Sequence, residues 1–236
     1  MQIVFLIMER GDQTTKKKAL FGLGWLTVIL GLLLFIPAGT LDYWQAWVYL
    51  FIFCGSSLAI TLFLMKRDME LLKRRLKGGA SAEKESSQKI IQTFARFIFI
   101  GVLLIPGFDH RFNWSHVPVS LVIAGEIFAA LGFFIVFLVF RENSYTSAII
   151  EIAENQKVIS SGPYAVVRHP MYSGALLMLL STPLALGSFW DLPMVILIFT
   201  VIIWRLLDEE KFLSKNLSGY SAYCQKTRFR LIPMIW

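Results

Sequence analysis

The run WQAWVYLFIFCGSSLAITLFLM, from Trp44 to Met65, goes 22 residues without a charge. A stretch that long and that apolar matches the hydrocarbon thickness of a bilayer when wound into a helix, which satisfies its own backbone polar groups. Ala19 to Pro37 and Val117 to Phe140 read the same way. Three weaker stretches follow. Ile90 to Phe108 is interrupted by Arg96, while Met171 to Leu186 and Leu192 to Leu207 are shorter and are joined by GSFWD, as in a helical hairpin. The chain therefore reads as an all-α polytopic membrane protein with about six transmembrane helices. Five spans with a half-inserted hairpin stay open as the alternative. Composition agrees, because only 17% of residues are charged where a soluble domain carries about a quarter. The opening MQIVFLIMER has too short an apolar run and the wrong charge order for a secretory signal, so no cleavage is expected.

Lysine and arginine resist transfer across a membrane and report its cytoplasmic side. Six spans put both termini on one side, and the basic residues collect there. They include Arg10, Lys16 to Lys18, the segment Lys66 to Lys89 with Lys84, then Arg141, Lys157, Arg168, Arg205 and the tail, whereas Arg111 alone falls opposite. The expectation is a multi-pass integral membrane protein with both termini cytoplasmic. Its formal net charge of +7 then faces anionic lipid, and in the absence of any RNA or DNA motif the expected partners are membrane lipids and a lipophilic or lipidated substrate, with no nucleic acid. Cys54 and Cys224 are too far apart for a disulfide framework or a thiolate metal site. His110 and His116 flank Trp114 without a third ligand, so no metal is expected.

Two regions are expected: residues 1–140, N-terminal transmembrane helices with a basic interfacial loop, and residues 141–236, a core of cytoplasmic loop, helical hairpin and C-terminal tail. In the first loop, Met69, Leu72 and Leu76 share one face of a basic helix ending at Gly78 and Gly79, suited to lie against headgroups. The loop RENSYTSAIIEIAENQKVISSGPYAVVRH alternates weakly and turns around Glu154 to Gln156, which predicts a small hairpin or a folded loop. The tail from Asp208 is too polar to span and rich in aromatics. It should fold back beneath the membrane, bringing loop, hairpin ends and tail to one level.

At that level lies SSGPYAVVRHPMYSG, Ser160 to Gly174. Pro170 suits a first helical turn, so Arg168 and His169 stand at a helix entrance, where unpaired N–H groups favour an anion. Equally, they could anchor a span, with Tyr164 and Tyr172 in an aromatic belt. WRLLDEE, Trp204 to Glu210, sets Arg205 and Glu209 four residues apart on one helical face. That pattern fits a site or a surface ion pair. Glu126, in the middle of the fourth span, fits a hydrogen-bonded structural role or a functional one.

The motif GPYxxxRHPxYxG, the acidic pair Glu209 and Glu210, a spaced tyrosine pair and Arg-x-Arg before Ile-Pro together resemble the isoprenylcysteine carboxyl methyltransferase family, which is related to the phospholipid methyltransferases. The resemblance covers roughly the last 90 residues. It implies methyl transfer from S-adenosylmethionine in a pocket at the cytoplasmic membrane surface, without a Rossmann domain. By matched position the cofactor contacts fall on Gln156, Lys157, Val158, Ile159, Tyr164, His169, Pro170, Met171, Tyr172 and Glu209, while Arg205 matches a substrate-side arginine that would grip a carboxylate with two prongs. A carboxylate acceptor would need no general base; an amine acceptor would need one, and His169 or Glu210 is then the candidate. A phospholipid-type N-methyltransferase is the first alternative to O-methylation of a carboxylate, and the membrane sterol and enone reductases, which use NADPH and share a comparable C-terminal architecture, form the second. A non-enzymatic scaffold or transporter is the third.

Overall fold

The structure is a computed structural model of the chain and describes residues 2–83 and 85–236. Lys84 of the expected basic surface lies outside the described residues, as do Met1 and the side chains of residues 2–10, Arg10 among them.

The apolar runs become helices, in the order α1 (Gln2–Ala38), α2 (Trp44–Arg67), α3 (Met69–Leu76), α4 (Ser86–Phe112), α5 (Val119–Glu142), α6 (Pro170–Ala185), α7 (Leu192–Asn216) and α8 (Tyr220–Lys226). Breaks fall where backbone chemistry demands them. Gly39 (φ +66°) ends α1, Asn113 closes α4 in the left-handed region, and Gly219 (φ +83°) separates α7 from α8. Asp68 caps α3, its side chain accepting from the Leu71 amide at 2.9 Å. The expected amphipathic helix therefore exists, but it buries Leu71 and Leu72 and leaves Leu76 exposed. A turn does form at Glu154 and Asn155, and the described residues around it contain no strand, so of the two expected forms the folded loop is the one found.

Four helices, α1 from Gly11 onward, α2, α4 and α5, are long and apolar enough to cross a membrane. The chain is an integral membrane protein. Six full spans do not follow, because α6 has 16 residues, about 24 Å of helix against a hydrocarbon core of about 30 Å. Phe21, Phe51, Phe97, Ile127 and Ile196 are among the large side chains left exposed. On a water-soluble surface such a belt would be a liability. In a bilayer it is the lipid-facing side.

With apolar side chains gaining little from leaving lipid, helices in membranes associate through close packing. Gly125 and Gly132 on α5 meet the backbone of α6 directly: a Cβ added to Gly132 would stand 2.6 Å from the Gly174 carbonyl, and one added to Gly174 would stand 2.8 Å from the Gly132 carbonyl. This seam fixes α6 against α5. Gly132→Val should cost about 3 kcal/mol or more, because two backbones and not flexible side chains must separate. Size-exclusion profiles and thermal unfolding in detergent test it; a variant melting with the parent protein would show that the seam is slack.

At the far end of the bundle, polar bonds tie the α6–α7 connection down. Tyr43 Oη donates to the Leu186 carbonyl at 2.5 Å, Tyr49 pairs with Thr182 at 3.0 Å, and Asp109 accepts from Ser115 and Ser188 hydroxyls. His110 stacks on Tyr43 at 4.1 Å, and among the described residues no cluster suited to a metal occurs. Glu126 is buried with both carboxylate oxygens unpartnered. Asp109 lies in the last turns of α4, and the opposite, N-terminal half of that helix serves the cavity described next.

Candidate active site

Gly162, at φ +55°, turns the chain into a short 3-10 segment, Gly162–Ala165, that delivers Tyr164 and then the α6 entrance. Here the tail returns. The Arg168 amide donates to the Phe229 carbonyl at 2.8 Å and the His169 amide to the Arg230 carbonyl at 2.9 Å. Ser173 Oγ adds a bond to the Leu231 carbonyl at 2.7 Å. Behind them Leu176, Leu206 and Leu231 form one apolar cluster, and Tyr223 Oη donates to the Tyr164 carbonyl at 2.8 Å. Helix entrance and chain end are thus one folded unit.

Glu210 holds that unit together from within. Its carboxylate takes Arg168 Nη1 at 2.8 Å, Arg230 Nε at 2.8 Å and His169 Nε2 at 3.3 Å. Glu210 lies beyond the apolar part of α7. Burial by itself would raise its pKa, but hydrogen bonds from His169 and Arg230 and the charge of Arg168 outweigh it and hold the carboxyl down at about 2. Such an acid is a poor proton acceptor, and it does not line the cavity. Glu210 is therefore no general base, contrary to the reading from sequence. Since its ordinary value is 4.5, the folded form favours the ionised state; this stabilisation is complete above about pH 4.5 and lost as pH falls toward about 2. Acid unfolding of Glu210→Gln should accordingly show a flatter limb across that window and a lower stability at neutral pH. Parallel curves for the two proteins would contradict the assignment.

Beside this node lies a cavity of about 590 Å³. Gln156, Lys157, Val158, Ile159, Tyr164, His169, Pro170, Met171, Tyr172, Arg205 and Glu209 all line it, and so does Ile149. The residues singled out in the sequence are brought together. Their connections differ from the expected ones. Arg205 does not pair with Glu209 along the helix; instead Tyr172 Oη stands between them, donating to Glu209 Oε2 at 2.6 Å and accepting from Arg205 Nε at 3.2 Å.

The charge partner of Arg205 is Glu83, from the connection between α3 and α4, at 2.9 Å. Arg205 also donates to Gln88 Oε1 at 3.0 Å and to the Ala148 carbonyl at 3.3 Å. A guanidinium has five N–H groups, and these contacts engage four. One N–H on Nη1 is left, so the two-pronged grip on a substrate carboxylate expected from sequence has no room unless a partner leaves. Glu83 is itself buried, accepting from Gln92 Nε2 at 2.5 Å and from the Ile150 amide at 3.2 Å. The sequence reading missed Glu83, Gln88 and Gln92. Nothing in the loop singles Glu83 out from Asp68, Glu70 and Glu85, and more than 100 residues separate it from Arg205.

Two features can receive a cofactor. Glu209 Oε1 has no partner among the described residues, and at the α6 entrance the first amide to bond back is Ser173, to the His169 carbonyl at 3.1 Å. The Met171 and Tyr172 amides of the first turn are therefore unclaimed. His169 offers no such amide, because Arg230 already holds it.

Residues 120–219 match the phospholipid methyltransferase family. The resemblance read from the sequence is borne out. A probable protein-S-isoprenylcysteine O-methyltransferase of Oryza sativa subsp. indica is 30% identical over 131 residues, 52% of this chain and 64% of that protein. Protein-S-isoprenylcysteine O-methyltransferase B of Arabidopsis thaliana is 28% identical over 162 residues, 63% of this chain and 78% of the relative. A Delta(14)-sterol reductase of Mus musculus is 30% identical over 105 residues, 41% of this chain and 25% of that protein. The matched part thus spans somewhat less than two thirds of the rice relative's length.

Proposed function

We propose that the protein is an S-adenosylmethionine-dependent methyltransferase acting on a lipid-borne acceptor, a carboxylate of the isoprenylcysteine type, with both termini and the cavity on the cytoplasmic side and α6 and α7 completing the membrane-embedded bundle. The observation that carries this reading is the single cavity in which every residue matched to the family meets.

The donor set suits such a cofactor. A volume of about 590 Å³ lies within the ordinary range of small-molecule sites, roughly 300–1,000 Å³. Glu209 offers an unpartnered carboxylate oxygen to a hydroxyl or ammonium group, the Met171 and Tyr172 amides suit a carboxylate at a helix N-terminus, and Tyr164 presents a flat face. When bound, S-adenosylmethionine supplies an electrophilic methyl group on a sulfonium. The protein's own part is positioning. Tyr172, fixed from both sides by Glu209 and Arg205, stands where the α6 entrance meets α7. A carboxylate acceptor arrives ionised and needs no base. With Glu210 committed to Arg168, Arg230 and His169, His169 is the remaining candidate base for an amine, and its Nε2 faces Glu210. That arrangement favours the carboxylate reading.

Incubation of the purified protein with methyl-labelled S-adenosylmethionine and a membrane extract, followed by alkaline hydrolysis, tests the proposal. Volatile label freed by base is expected from an ester. Base-stable label would instead indicate N-methylation. The reductase relative favours one second reading, and binding of NADPH without binding of S-adenosylmethionine would establish that reading in place of ours.

A further inference from the structure

The face of α4 that meets the cavity carries a row of three polar residues at four-residue spacing, Gln88, Gln92 and Arg96. The first donates to Asp208 and accepts from Arg205. The second bonds Glu83. Arg96, the third, has neither a hydrogen bond nor an ion pair among the described residues, although it lines the cavity with Ala95 and Phe99. An arginine inside an apolar helix is costly unless something answers its charge.

Its position says what could. Arg96 is exposed, and so are Phe94 at 58% and Phe97 at 68% on either side of it, whereas Ala95 and Phe99 face the cavity. Arg96 therefore stands on the seam where the cavity opens sideways onto the lipid-facing surface. An amphiphile entering there would bring its anionic head past a free guanidinium and leave its chain along Phe99 and the neighbouring aromatics. Arg205 cannot play this part fully, since Glu83, Gln88, Ala148 and Tyr172 already engage it.

We propose that Arg96 is the specificity-determining residue for the acceptor, binding the anionic group of a lipid amphiphile, carboxylate or phosphate, at the lateral mouth of the cavity. The inference rests on the methyltransferase reading for its biological sense, but not for its test. In uncharged maltoside micelles, saturable binding of labelled laurate, dodecyl phosphate and dodecanol is compared for the parent protein, Arg96→Gln and Arg96→Lys. At least one anion should bind the parent about tenfold more tightly than dodecanol, a margin expected of a charge-assisted bidentate contact; Arg96→Gln should lose that margin and Arg96→Lys keep part of it. Preference for laurate identifies a carboxylate-bearing acceptor, and preference for dodecyl phosphate a phospholipid. Equal binding of both anions by the parent and Arg96→Gln, or no saturable binding, overturns the proposal and leaves Arg96 as an anchor to bulk headgroups. Equilibrium dialysis with S-adenosylmethionine on the same samples should show no change in Arg96→Gln. If the parent binds none, the proposed function fails while the anion measurement still decides the role of Arg96.

Discussion

Glu209→Ala binds S-adenosylmethionine about 100-fold more weakly than the parent protein while its unfolding temperature is nearly unchanged. Hydrogen bonds to a charged group contribute about 1.5–3 kcal/mol, and about 1.4 kcal/mol corresponds to a factor of ten, so losing the free Oε1 and the negative charge together reaches the upper part of that range. The fold should tolerate the change, because Glu209 has one protein partner, Tyr172, and the tail is strapped to α6 by backbone bonds and Glu210 instead. Isothermal titration and thermal unfolding on one preparation check both halves. A loss of affinity below threefold would remove Glu209 from the cofactor site, and a collapse in stability would make it a structural residue.

The second large effect concerns a residue outside the family motif. Glu83→Ala should destabilise the protein by about 3 kcal/mol, since removing one partner of a buried pair leaves the other's charge uncompensated. The Arg205 side chain is 15% exposed and that of Glu83 only 1%. For a chain of this size such a loss lowers the melting temperature by roughly 6–12 °C. The Gln92 and Ile150 bonds to Glu83 are lost as well, so the loop over the cavity should loosen and cofactor affinity fall with it. Glu83→Gln, which retains an acceptor but not the charge, should fall between the two. An Ala variant as stable as the parent would mean that water reaches Arg205 freely and that the pair is a surface contact.

These two residues mark how far the sequence could be read. Glu209 was legible because it sits at a recognisable spacing after an apolar run, and the motif around His169 and Pro170 named the helix entrance. Glu83 was not, because nothing local distinguishes an acid in a polar loop from one that will be buried against an arginine on α7. The same holds for Gln88, Gln92 and Arg96: their spacing puts them on one face of α4, but only the packing of α4 on α7 sets Gln88 against Arg205 and puts Gln92 and Arg96 in a cavity wall. The length of α6 was legible, since the short run Met171 to Leu186 is as long as the helix Pro170–Ala185, shifted by one residue. The helix ends at Ala185 and the chain then turns at Gly187, whose φ of +71° a helix cannot continue.

What the sequence by itself determined is the solvent and the secondary structure: long uncharged runs leave a helix in hydrocarbon as the stable form, and proline and glycine set where several helices start and stop. Tertiary structure alone decided which charges answer one another. Desolvation makes a buried charge depend on whatever partner stands within a few ångströms, and that distance is a property of folded space, not of separation along the chain. Hence Arg205 belongs to Glu83, Glu210 belongs to the tail, and Arg96 is left facing the mouth of the cavity.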